Sequence, residues 1–176
     1  MDKQEFFLII PGVIYGVAIV DLLKVFEHKR NYFEIVGWGL TFMLGIVTLW
    51  INLYVKLDAI VSSNLSFLLI IVQSVLYSRG AHIITPEEQH NDTKAYFKSI
   101  RKQFFTLLAL IVLCNLLIQE VVQSSHTPVE LRILAVLLYV TLIVFDKVWL
   151  RTTVMFLTAS LILLDLLIPG GLVQFF

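Results

Sequence analysis

Residues 94–122 read KAYFKSIRKQFFTLLALIVLCNLLIQEVV. Within this stretch a cationic amphipathic segment passes into an apolar one. Lys94, Lys98, Arg101 and Lys102 fall largely on one helical face, and Tyr96, Phe97, Ile100 and Phe104 share another. From Phe104 to Val122 the chain is almost wholly apolar, close to the roughly 20 helical residues that a bilayer core of about 30 Å requires. Five further apolar runs occupy 6–26, 32–55, 60–77, 131–145 and 148–168. They lack the alternation of a barrel strand, and in lipid only helices and closed barrels satisfy their own backbone. The expected fold is an all-α, polytopic membrane bundle of six transmembrane helices forming a single domain over 1–176.

Composition agrees. Apolar residues make up 59% of the chain and charged residues 15%, against roughly 45–50% and about a quarter in soluble domains. Mean hydropathy is +0.89. A net charge of zero gives no bulk attraction to nucleic acid. The cations are not spread evenly. Ten of the thirteen Lys and Arg residues lie in alternate gaps: Lys24, Lys29 and Arg30; Arg79, Lys94, Lys98, Arg101 and Lys102; Lys147 and Arg151. Only Lys3, Lys56 and Arg132 fall elsewhere. Positive loops are retained in the cytoplasm, which predicts both termini outside (N-out/C-out) in a bacterial inner membrane. Met1-Asp2-Lys3-Gln4-Glu5 is acidic and precedes no small-residue cleavage site, so the first run reads as a span rather than a signal peptide. Trp38, Trp50, Tyr54, Tyr77 and Trp149 lie towards the ends of their runs, where amphipathic rings prefer the headgroup level. Pro169-Gly170-Gly171 stops the last run.

The sizeable polar piece is a basic amphipathic elbow over 82–103, between the third and fourth runs. Thr85-Pro86-Glu87-Glu88 has the pattern of a capped helix start, with Thr85 as N-cap and Glu88 as its partner. Asp92-Thr93 offers a second start. The cations Lys94, Lys98, Arg101 and Lys102 suit either anionic lipid at the inner surface or a cytoplasmic anionic ligand or protein partner.

Several runs carry neutral polar residues at helical spacing. Gly37, Thr41, Gly45, Thr48 and Asn52 line one face of the second run. Ser66 and Gln73 share a face of the third, Asn115 and Gln119 a face of the fourth. Small and hydroxyl residues allow close helix approach, and amides bond between helices; the same stripes would also line a pore for small ions or solutes. Gly12 and Gly16 form a GxxxG on the side of the first run opposite Asp21. Asp21 lies about 7 Å of helix rise from the inner end of its run. With Arg79, Asp146 and Arg151, each at the same end of its own run, it is expected to form an inner-end charge network.

No motif names a reaction. Walker A, HExxH, GxSxG, CxxC, an arginine-repeat voltage sensor and a TVGYG filter are all missing from the sequence. Cys114 is single, which excludes an internal disulfide and a cysteine metal cluster. His28, His82 and His90 are scattered, so no metal, cofactor or catalytic residue is expected. His126 with Glu120 or Glu130 is the closest approach to an acid–base cluster.

Asp21-Leu22-Leu23 at the end of the first run, and Pro86-Glu87-Glu88 followed by Asp92, Tyr96-Phe97, Arg101 and Phe104-Phe105, resemble a broad group of small bacterial six-helix membrane proteins with no assigned activity. The resemblance spans most of the chain and implies no catalytic residues. Polar stripes and a basic elbow together suggest a homo-oligomeric channel or pore-forming effector, gated from the cytoplasm by an anionic ligand or partner. A non-conducting scaffold and a small-solute transporter are the alternatives.

Overall fold

The computed structural model describes residues 3–27, 32–55, 57–61, 63–86, 92–122 and 129–167. Lys29, Arg30, Lys56, Glu88, His90, His126 and the Pro169-Gly170-Gly171 stop lie outside them. The elements are α1 (Lys3–Glu27), α2 (Phe33–Val55), α3 (Leu57–Val61), α4 (Asn64–Ile84), α5 (Thr93–Val122), α6 (Val129–Val144) and α7 (Val148–Leu167), with no strand among the described residues. Four segments are long and apolar enough to cross a membrane: Phe7–Glu27, Phe33–Tyr54, Asn64–Ile84 and Thr93–Val121. Val148–Leu164 is a shorter apolar helix, and α6 has 16 residues.

Helix ends follow local chemistry. Ser63 caps α4 from an extended conformation, its hydroxyl accepting from Ser66 N at 3.4 Å. Asp92 caps α5 through Oδ1, which accepts from Lys94 N and Ala95 N at 3.1 and 3.0 Å; each bond meets an amide that the first turn leaves without a partner. Thr85 corrects the expectation made for it. It ends α4 instead of starting a helix, and its hydroxyl donates to Ala81 O at 2.8 Å and Asp21 O at 3.0 Å. Those are carbonyls near the ends of α4 and α1. The elbow's four cations therefore sit on the first three turns of α5 itself, continuous with the apolar part of that helix.

These contacts gather one end of the bundle. Tyr96 on α5 donates from its phenol to Ile83 O at 2.6 Å, and Tyr32 N donates to Thr93 Oγ1 at 2.9 Å. The C-terminal ends of α1, α4 and α6 thus lie with the N-terminal ends of α2, α5 and α7, at the end richest in cations. Side by side, α6 packs on α5, α5 on α4, α4 on α1, α1 on α2 and α2 on α7. Consecutive helices α6 and α7 touch each other far less.

Trp38 and Tyr77, expected at the headgroup level, are buried in the core instead: Trp38 packs on Phe105, Phe104 and Tyr139, with ring centroids at 5.2, 5.9 and 6.4 Å, and Tyr77 on Phe42 at 4.8 Å. Outward positions are also apolar: Val13, Val17 and Val20 on α1, Leu110, Leu113 and Leu117 on α5, Leu163, Leu164 and Leu167 on α7 are all exposed. An apolar surface this extensive suits lipid rather than water. The class is an α-helical integral membrane protein.

Between such helices burial supplies little drive, because lipid tails are as apolar as leucine; close fit supplies it instead. Gly80 shows the fit. A methyl group there would come within 2.5 Å of the Phe42 ring edge, whereas Gly16 faces open space. Gly80→Ala is expected to cost about 1–3 kcal/mol by overpacking α4 against α2. Gly16→Ala should be neutral or slightly stabilising. Thermal unfolding in one detergent, with the two variants side by side, checks the contrast.

Candidate functional site

A charge cluster closes the basic end. Its parts come from four elements: Glu34 from the first turn of α2, Arg101 from the third turn of α5, Asp146 from the linker after α6, and Arg151 from the first turn of α7. Glu34 is completely buried and Arg151 nearly so. Nε of Arg151 donates to both Glu34 oxygens at 3.2 Å, and Nη2 lies 3.1 Å from Oε2. Such a fork against a carboxylate is among the strong hydrogen-bonded pairs. Nη1 of Arg151 turns the other way and pairs with Asp146. Beneath it, the Phe97 ring centroid lies 5.9 Å from the guanidinium carbon.

Arg101 does a different job. Its Nη1 donates to Leu142 O at 2.6 Å and Phe145 O at 3.1 Å, carbonyls at the C-terminal end of α6. Those are acceptors the helix cannot satisfy itself, and the negative end of its dipole favours a cation there. Nε of Arg101 lies 3.7 Å from Asp146 Oδ1. Asp146 therefore stands between two guanidinium groups while its side chain stays 42% exposed.

Outside the cluster a cleft of about 350 Å³ opens, lined by Tyr32, Asp92, Lys94, Lys98, Asp146 and Arg151 among others. Burial, then the charge of Glu34, pushes the Tyr32 phenol above its usual pKa, so it remains a neutral donor at the cleft wall.

The four residues expected to form one inner-end network fall into two groups. Asp146 and Arg151 meet directly. Asp21 lies in a separate groove between α1 and α4, paired with Lys24 at 2.7 Å and 3.9 Å from His82 Nδ1, with Arg79 in the same groove. Of the four elbow cations, Lys94 and Lys98 line the cleft, Arg101 is buried in the cluster, and Lys102 is exposed. The polar stripes point inward. Thr41 and Thr48 donate to Gly37 O and Leu44 O of their own helix, at 2.8 and 2.9 Å. Gly45 gives room to the Tyr77 hydroxyl, Asn52 is half-buried, and Ser66, Gln73, Asn115 and Gln119 are buried.

Sequence reasoning passed over Glu34. Its position carried a signal: an acid in the first turn of an apolar helix, on the side where α7 begins with an arginine, complements both the helix dipole and that cation. Arg132, outside the cation-rich gaps, is 1% exposed. No group of three side chains able to hold a metal gathers among the described residues. No family model, curated protein or solved structure matches the chain.

Removing one partner of a buried pair leaves an uncompensated charge. Glu34→Gln, nearly isosteric, is expected to destabilise the fold by about 3–5 kcal/mol. Asp146→Asn, at the solvent edge, should cost about 1 kcal/mol or less. Denaturation midpoints in detergent give the comparison, and equal losses would contradict this account of the cluster.

Proposed function

We propose that the chain crosses a bacterial inner membrane six times, with its basic end in the cytoplasm, and works as a homo-oligomeric channel or pore-forming effector gated there by an anionic ligand or partner. The alternation of Lys and Arg between gaps supports the orientation. One observation carries the conducting role. Ser66 Oγ and Gln73 Nε2, two turns apart on α4, are buried without a hydrogen-bond partner among the described residues. In hydrocarbon an unmet polar group costs several kcal/mol, and helix packing alone gives no reason to keep two of them on one face. A path for water or a hydrated ion supplies the reason.

Gating follows from the cleft. Lys94 and Lys98 draw an anion towards it, and Asp146 is the exposed acid through which Arg101 and Arg151 hold the α6–α7 linker. An incoming phosphate competes with that carboxylate for both guanidinium groups. Release of Asp146 loosens α7 from α5, while Glu34 keeps Arg151 anchored to α2.

The scaffold reading has its own support: Thr41 and Thr48 spend their hydroxyls on their own helix and so do not line a path. Flux from potassium-loaded liposomes separates the two, with inorganic phosphate and nucleoside triphosphates as probes. A pore predicts that Gln73→Leu changes conductance several-fold, and that Lys94→Gln with Lys98→Gln weakens the response to the anion. Strictly monomeric protein with no flux under any of these anions removes the channel and leaves the scaffold.

A further inference from the structure

A second site lies on the bundle's flank. The groove between α1 and α4 has a volume of about 500 Å³ and is lined by Ile14, Asp21, Val75, Ser78, Arg79 and His82. The two helices run in the same direction. Ile14 and Asp21 are seven residues apart on one, Val75 and His82 seven apart on the other, and Asp21 faces His82. The groove therefore extends about 10 Å along the bundle. Its deeper part is apolar and opens sideways, beside the exposed Val17 and Val72. Its other part is polar and lies at the basic end.

The charges in that polar part are unequally engaged. Asp21 is already neutralised by Lys24 at 2.7 Å. Arg79 is exposed, and makes no ion pair or hydrogen bond among the described residues. Arg101 and Arg151, by contrast, are fully engaged in the neighbouring cluster. A lone guanidinium with a serine hydroxyl and an imidazole beside it, at the border of an apolar span, complements a phosphate: the planar fork donates to two of its oxygens and Ser78 can donate to a third. The apolar continuation along Ile14 and Val75 runs in the direction an acyl chain takes from its headgroup.

We propose that this groove seats an anionic phospholipid of the surrounding leaflet, its phosphate on Arg79 with Ser78 and His82, and one acyl chain along Ile14 and Val75. The occupant is a bilayer lipid because the groove joins a charged mouth to an apolar trough; a soluble anion would use only the mouth. This site is separate from the cleft at Lys94 and Lys98, so the two stand or fall independently.

Native mass spectrometry of the full chain in a neutral detergent tests it. Phosphatidylglycerol and phosphatidylcholine with the same chains are added in turn, then inorganic phosphate. Retention of phosphatidylglycerol over phosphatidylcholine is expected, falling about fivefold in Arg79→Gln, in line with roughly 1 kcal/mol for one basic residue at an anionic lipid surface. Val75→Trp, an exposed position that tolerates the larger ring, should give a similar loss by blocking the trough. Lys94→Gln with Lys98→Gln should leave retention unchanged. The proposal fails if Arg79→Gln retains phosphatidylglycerol like the parent, or if both lipids are held equally. It fails too if the Lys94 and Lys98 changes weaken retention as much, since adhesion would then belong to the basic end in general. Complete displacement by inorganic phosphate would reassign the groove to a soluble anion.

Discussion

Glu34 has no contact with water, and the ion pair it makes with Arg151 fixes the basic end of the bundle. A carboxylate removed from solvent must be met by charge and hydrogen bonds together, and the Arg151 fork provides both. Because Arg151 also holds Asp146, and Asp146 lies against Arg101, one chain of charges ties α2, α7, the α6–α7 linker and α5. The residues are drawn from positions as far apart as 34 and 151. Arg101 adds the end of α6 by meeting its last carbonyls. Four helices are thus held at one level by groups that would be costly to leave alone.

Away from that level the helices depend on shape. Trp38 fills the centre with Phe104, Phe105 and Tyr139 around it, and Gly80 lets α4 approach the Phe42 ring. The fit is uneven. Tyr139 and Thr158 hydroxyls meet at 3.2 Å across α6 and α7, but beyond them the two helices diverge around an apolar cavity of about 300 Å³. The hairpin is held firmly at its linker and loosely above it.

The basic end carries two kinds of cation. Arg101 and Arg151 are consumed by structure, whereas Lys94, Lys98 and Arg79 face outwards, the lysines towards a cleft and the arginine towards the lipid-facing flank. Buried and outward-facing cations lie within the same few turns of helix. Asp146 joins the two sets, exposed at the cleft and bonded to Arg151.

Much of this was legible in the order of residues. Apolar runs long enough for a bilayer dictate helices, since a backbone in lipid has to bond to itself, and the Asp92 cap marks the start of α5 by the same local rule. The amphipathic split between Lys94 and Phe104 is kept by Lys94, Lys98 and Lys102, which are exposed, against Phe97 and Phe104, which are buried, because helical spacing sets which side chains share a face; Arg101, expected on the cationic face, is on the buried one. Partnership across the bundle was not legible. Glu34 looks like an ordinary helix-start acid until α7 brings Arg151 beside it, and Arg101 looks like a surface cation until the end of α6 arrives. Asp21 and Asp146 both belong to the basic end, yet packing puts them in different grooves. Thr85 had the sequence of a helix start and became a helix end, because carbonyls of α1 and α4 were within reach of its hydroxyl. Depth and helical face follow from local chemistry; which charge meets which is decided only when distant helices pack.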